Sequence, residues 1–173
     1  MRCGACNYTH YGNPTPVVAA IVEHEGAVVL VRNVGWPEKM FGLVSGFLEA
    51  GETPEAGVLR EVREELGVTG AIASWVGAYA FEMRNELILS WHVKVEGTLV
   101  PGAELQEIKR VPIEKLRPWP FGTGLAVRDW LATIRDNEDL VSVGAYVAGS
   151  NPRIDTALAK REAIGRFLCQ PAD

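Results

Sequence analysis

Residues 46–68 read GFLEAGETPEAGVLREVREELGV. Within them Thr53–Leu66 is predicted to be a helix: Thr53 can cap the first free amides, Pro54 suits the first helical position, and Gly67 suits the residue past the end. At about 100° per residue, Leu59, Val62 and Leu66 cluster on one side. Glu61, Glu64 and Glu65 cluster on the other, because positions i, i+3 and i+4 are neighbours. Carboxylates packed this closely raise one another's pKa unless a cation sits among them. A solvated acidic face would interleave Lys or Arg as i+4 partners, whereas Arg60 and Arg63 are expected on the flanks. Hard oxygen donors at this spacing suit Mg²⁺ or Mn²⁺, with a solvated face as the alternative that geometry alone leaves open.

Outward from the helix, Thr15 onward reads as a hairpin, TPVVAAIV then a Glu-His-Glu-Gly turn then AVVLVR. Gly35–Gly46 reads as loop or short strand. Strands are expected over about Ala71–Glu82 and Glu86–Glu96, with a short one over Glu107–Pro112. In the second of these, Leu87, Leu89, Trp91, Val93 and Val95 alternate with Ile88, Ser90, His92 and Lys94, a half-buried pattern. Thr123–Ile134 reads as a second helix. Strands interleaved with two helices predict an α+β sandwich around a mixed sheet.

The chain has 173 residues, enough for one ordinary domain with a small appendage, and its core needs no disulfides. Net charge is −5, which argues against a polynucleotide as a standing partner. Residues 46–68 hold six Glu and two Arg, a local −4 that is most of this total. No stretch approaches the roughly 20 apolar residues that span a bilayer, so no membrane partner is expected. Met1, Arg2 and Cys3 open no apolar signal region, and three cysteines cannot all pair. A cytoplasmic location is the expectation.

The 46–68 stretch also fits Gly-x5-Glu-x7-Arg-Glu-apolar-x-Glu-Glu-x-Gly-apolar at Gly46, Glu52, Arg60, Glu61, Val62, Glu64, Glu65, Gly67 and Val68. At ordinary residue frequencies seven such identities in register arise by chance about once in 10⁸ placements. The chain therefore resembles the Nudix hydrolase superfamily over about residues 15–134. The resemblance implies a Nudix α/β/α sandwich and substitution by water at phosphorus. It implies Glu61, Glu64 and Glu65 as metal ligands, the Gly46 carbonyl facing the metal, and an Arg60–Glu52 pair bracing loop and helix. A further carboxylate is implied from a later strand, with Glu107 best placed and Glu104 second. The base that accepts the water's proton stays open among Glu64, Glu65, Glu86 and other loop residues.

CGACNYTHYGNP resembles the second half of the zinc ribbon that precedes some Nudix domains. Tetrahedral Zn²⁺ needs four ligands, and Cys3 and Cys6, with His10 as a third candidate, fall short of them. Zinc is therefore not expected, and 1–14 reads as a half-ribbon segment. RPWPF at Arg117–Phe121 resembles a motif of NADH diphosphatases but lies some fifty residues past Val68, so it reads as coincidence. Trp36, Phe41, Tyr79, Phe81 and Trp91 are aromatics that could stack on a base, the first four being the candidate substrate contacts. His24 and His92 read as structural.

Residues 135–173 read as a third segment, a helical tail. NEDLVSVGAYVAGSNPRIDTALAKREAIGRFL resembles the C-terminal segment of flagellar and type III secretion export ATPases. No phosphate loop accompanies it, so ATPase activity is not implied. Ile154, Leu158, Ile164, Phe167 and Leu168 would form the stripe of its last helix.

The function expected is Mg²⁺- or Mn²⁺-dependent hydrolysis of a diphosphate bond in a nucleoside diphosphate linked to another group. ADP-ribose, an NADH-like dinucleotide and a nucleoside triphosphate are the candidates. RNA-cap or isopentenyl-diphosphate chemistry, a non-catalytic nucleotide sensor, and a partner-binding module centred on the tail are the alternatives. The partner is a small nucleotide, with a homodimer as a candidate state.

Overall fold

In the computed structural model residues 2–147 are described, with side chains through Arg135. The elements are β1 (Thr15–His24), β2 (Ala27–Asn33), β3 (Val44–Phe47), α1 (Pro54–Leu66), β4 (Gly70–Phe81), β5 (Glu86–Val95), β6 (Leu105–Pro112) and α2 (Gly124–Val147). The stripe expected over Ile154–Leu168 lies outside the described residues. So does Cys169.

The six strands form one sheet in the order β4-β5-β1-β2-β6, with β3 paired to β1. Only β1 and β5 run parallel among these pairs, so the sheet is mixed. β5 covers one edge of β1 along Thr15–Glu23. The other edge is divided: β3 pairs along Val17–Ala20 and β2 along Val22–His24. This division sets Val18 opposite Gly46 and Ala19 opposite Ser45, which fixes the start of the 46–68 loop on the sheet.

α1 forms where its punctuation places it. Thr53 accepts from the Ala56 amide at 3.3 Å, and Gly67 takes the left-handed φ of 69° that ends the helix. Its buried face is Val58, Val62 and Leu66, packed on Val18, Ala20 and Val22 of β1 and on Val93 and Val95 of β5. Full burial of each such side chain is worth about 1.5–3 kcal/mol. The helix is rotated from the expected stripe: Val58 takes the inner position, Leu59 is only partly buried, and Glu65 lies on the buried side.

The other sheet face buries Val17, Ala19 and Ile88. There α2 sets Trp130 against the His92 ring, centroids 5.0 Å apart, and Asp129 against the Tyr79 hydroxyl. Helices on both faces make the α/β/α sandwich. They also correct the half-buried reading of β5, because Ile88 and Ser90 are as buried as Val93, while Leu87 is exposed at the strand's start.

Two compact units divide the chain, Met1–Leu131 and Ala132–Asp173. The second helix does not stop near Ile134, since α2 runs on to Val147. No helix among the described residues is long and apolar enough to cross a membrane.

Candidate active site

α1 and β3 meet at a cleft of about 690 Å³ whose walls include Ser45, Gly46, Glu61, Glu64, Glu65 and Glu104. The Glu61 carboxylate lies directly against the Gly46 backbone, in the space that a Cβ at 46 would fill. Ser45 donates its amide to Glu65 Oε1 at 3.4 Å, and Glu65 Oε2 is buried without a partner. Burial pushes the Glu65 carboxyl up to about 8, and Glu61, Glu104 and Glu64 push the same way against the Ser45 hydrogen bond. Burial also raises Glu61, with Arg60 opposing.

The three helix carboxylates do not share one solvated face. Glu64 stands out with its side chain 56% exposed, whereas Glu61 is 12% exposed and Glu65 is buried. Nor does Arg60 stay on the flank. Its Nη1 donates to Glu61 at 2.7 Å and to Glu64 at 3.0 Å, so a positive group already stands between them. Its Nη2 and Nε donate to the two Glu52 oxygens at 2.8 and 3.2 Å, and Nη2 also reaches the Phe47 carbonyl at 3.1 Å. Glu52 accepts the Glu49 amide at 2.8 Å, and these bonds, the Arg60 one foremost, hold its carboxyl below the usual range. The guanidinium thus ties the loop before α1 to the helix.

Among the described residues no three His, Cys, Asp or Glu side chains are grouped for metal ligation. The donor set nevertheless fits a divalent cation. It offers hard oxygens, a partnerless buried carboxylate oxygen at Glu65, and a backbone approach at Gly46 that excludes any side chain.

Glu104, not Glu107, faces this cleft and acts electrostatically on Glu61 and Glu65. Glu107 is the register partner of Arg32 across β2 and β6 and pairs with it at 2.8 Å. Cross-strand pairing carries it to another recess, with Glu38, Lys39, Phe41 and Lys109.

A second cleft of about 710 Å³ adjoins the first, and Val17, Trp36, Ser45, Arg84 and Glu86 line both. Phe41 and Phe81, two of the candidate substrate contacts, line the second. Tyr79 does not. Its hydroxyl donates to Asp129 at 3.0 Å, and burial together with that carboxylate pushes its pKa up to about 12. Trp91 is buried in the core under α1, edge-on to Trp75 at 4.7 Å.

Sequence reasoning passed over Trp119 and Phe121. Both line the second cleft, and Phe121 stacks at 6.5 Å on Phe81. The RPWPF segment that reads as coincidence therefore supplies cleft wall. Asn33, with a buried partnerless Oδ1, lines the acidic cleft and carried no sequence signal.

At the N-terminus Cys3 and Cys6 are exposed free thiols in a turn closed by an Arg2–Thr9 bridge. Amides of Cys6 and Ala5, with the Cys6 side chain, lower the Cys3 pKa. His92 bonds Glu23 at 2.8 Å and His24 bonds the Gly97 carbonyl at 2.8 Å.

The family model described as NUDIX domain matches residues 13–131, and one described as T3SS EscN ATPase C-terminal domain matches residues 123–173. NAD-capped RNA hydrolase NudC of Pseudomonas aeruginosa is 30% identical over 128 residues, 73% of this chain and 46% of the relative. That of Mycobacterium tuberculosis is 42% identical over 79 residues, 44% of this chain and 25% of the relative. The chain thus spans less than half the length of these curated relatives. A NUDIX hydrolase structure from Nitrosomonas europaea superposes with TM-score 0.59 at 26% identity, covering 66% of each chain. An ADP-ribose pyrophosphatase from Streptococcus suis superposes with TM-score 0.59 at 17% identity, covering 71% of this chain and 93% of that one, a likeness of fold alone.

Proposed function

The chain belongs to the Nudix family, and from that premise we propose that it hydrolyses the diphosphate bond of a nucleoside diphosphate joined to a second moiety, a dinucleotide of the NADH kind first among them. The observation that carries this reading is the common wall of two unlike clefts, one rich in carboxylate and one aromatic. A diphosphate with an aromatic base needs both. The curated relatives are named for NAD-capped RNA, and the NAD end is the part of such a substrate that a chain of net charge −5 suits best.

Glu61, Glu64, Glu65 and the Gly46 carbonyl would hold the cation, with Glu104 replacing Glu107 as the added carboxylate. When bound there, Mg²⁺ or Mn²⁺ neutralises phosphate oxygens and lowers the pKa of water. Arg60 and Glu52 keep the loop and α1 in register, so that Gly46 and Glu61 stay in contact. Trp36, Phe81 and Phe121 offer faces to the base. In hydrolysis water oxygen bonds to one phosphorus, the bond from that phosphorus to the bridging oxygen breaks, and two phosphate esters leave. Glu86 is our choice of proton acceptor, supported by its position on the wall shared by both clefts.

The test is a panel of NADH, ADP-ribose and nucleoside triphosphates with Mg²⁺, Mn²⁺ or chelator, read as phosphate released by an added phosphatase. Metal-dependent cleavage of a dinucleotide is expected. No cleavage of any diphosphate by the folded protein would overturn the reading.

A further inference from the structure

The aromatic cleft is also the basic one. Lys39, Arg84, Lys109 and Arg117 line it, against the single carboxylate of Glu86. Arg84 and Glu86 pair with each other at 3.0 Å. Among the described residues Lys39, Lys109 and Arg117 have no carboxylate within ion-pair distance. The acidic cleft, by contrast, is walled by Glu49, Glu61, Glu64, Glu65, Glu86 and Glu104 against Arg60 and Arg84. Arg117 Nη1 donates to the Glu114 and Leu116 carbonyls at 2.9 and 3.0 Å, so Lys39 and Lys109 are the two cations of this aromatic wall that, among the described residues, hold neither a carboxylate nor a carbonyl.

The substrate's diphosphate does not account for these cations. On the functional reading above, that group belongs in the acidic cleft, and Lys39, Lys109 and Arg117 do not line that cleft. They line the second cleft, whose wall shares Trp36 with the first. Lys109 Nζ lies 5.2 Å above the Phe41 ring, and Lys39, Phe41 and Lys109 continue into the recess beside the second cleft. Of the two carboxylates there, Glu107 is held by Arg32, which leaves Glu38 facing two lysines. A ligand spanning the clefts would pass from diphosphate to ring to these cations. We propose that they form a subsite for a second anionic group, a phosphate monoester on the ribose of the nucleoside held in the aromatic cleft. The preferred substrates would then be diphosphates of a 2′- or 3′-phosphorylated nucleoside. This proposal rests on the functional reading for the place of the diphosphate.

The experiment reads binding without turnover. AMP, adenosine 2′,5′-bisphosphate and adenosine 3′,5′-bisphosphate are titrated into the full chain, followed by the change in tryptophan fluorescence, two of the five tryptophans, Trp36 and Trp119, lying on the cleft wall. Two or three charge-assisted contacts should make one bisphosphate bind on the order of tenfold tighter than AMP at low salt. Added salt should shrink that ratio. In the double variant Lys39→Ala/Lys109→Ala, both positions being exposed, the ratio should fall to about one. The charge-reversed Lys39→Glu/Lys109→Glu should invert it.

Equal affinities for AMP and both bisphosphates in the wild-type chain would overturn the proposal, as would a preference that survives both variants. A further arm uses a short oligoribonucleotide with NAD at its 5′ end. If only that ligand binds more tightly through the lysines, the cations track a polynucleotide backbone and the small-molecule proposal is wrong. A chain that cleaves no diphosphate would sink the functional reading, whereas the binding ratio judges the subsite by itself.

Discussion

Glu61 lies directly against Gly46, its carboxylate filling the volume that any side chain at 46 would need. The contact joins β3 to α1 through two residues fifteen positions apart in sequence. Since the displaced atoms are the end of a flexible side chain, Gly46→Ala should fold with nearly unchanged Tm. It should weaken Mg²⁺ binding and lower kcat/KM by about 10–100-fold, the usual cost of misorienting a ligand. Wild-type metal affinity in this variant would show that the contact has no part in the site.

Glu61→Gln and Glu64→Gln should each lower kcat by roughly 10²–10³, because each would remove a negative oxygen from a cation that stabilises the transition state. Circular dichroism and thermal melting check that the fold survives. A folded double variant with wild-type turnover would refute these roles.

Arg60 and Glu52 act as one unit across two hydrogen bonds, with further bonds from Arg60 to Glu61, Glu64 and Phe47. Arg60→Ala and Glu52→Gln should therefore lower Tm and activity non-additively, the double variant falling little below Arg60→Ala alone. Arg60→Lys should not restore activity, since an ammonium cannot serve Glu52 bidentately while reaching the Phe47 carbonyl. Strict additivity in the cycle would show two independent groups.

Burial and the Asp129 carboxylate both push the Tyr79 phenol up. Its folded pKa of about 12 exceeds the usual value of about 10, so its neutral form is favoured by folding. The stability it contributes is fully present below about pH 10 and is lost as pH rises through about 12. Ultraviolet difference titration should show one phenol ionising last, and Tyr79→Phe should remove that step. A last step unchanged in Tyr79→Phe would move the assignment to another tyrosine.

Truncation after Arg135 should leave kcat at saturating substrate within a few-fold, because each proposed site residue precedes it and lies in the unit Met1–Leu131. Steady-state kinetics on the folded truncation would check this. A loss of two orders of magnitude with metal binding retained would place a catalytic requirement in residues 136–173.

The sequence by itself determined the helix and its ends. Thr53, Pro54 and Gly67 act through local backbone chemistry, which needs no distant partner. Period-two alternation located β5, while β3 fell in a stretch that reads equally as loop or short strand, and spacing in the 46–68 stretch put Glu61, Glu64 and Glu65 within about one turn of helix. Only the tertiary structure decided the rotation of α1 that buries Glu65, because the sheet face accepts Val58 and Val62 together. It set Glu104 rather than Glu107 on the wall of the acidic cleft, because cross-strand register gives Glu107 to Arg32. It took Tyr79 from the wall of the second cleft, where α2 holds it through Asp129, and put Trp119 and Phe121 on that wall. Spacing along a chain fixes which groups one helix or strand presents. Which of them share a cleft depends on how separate elements pack, and that is set by burial and register between residues far apart in sequence.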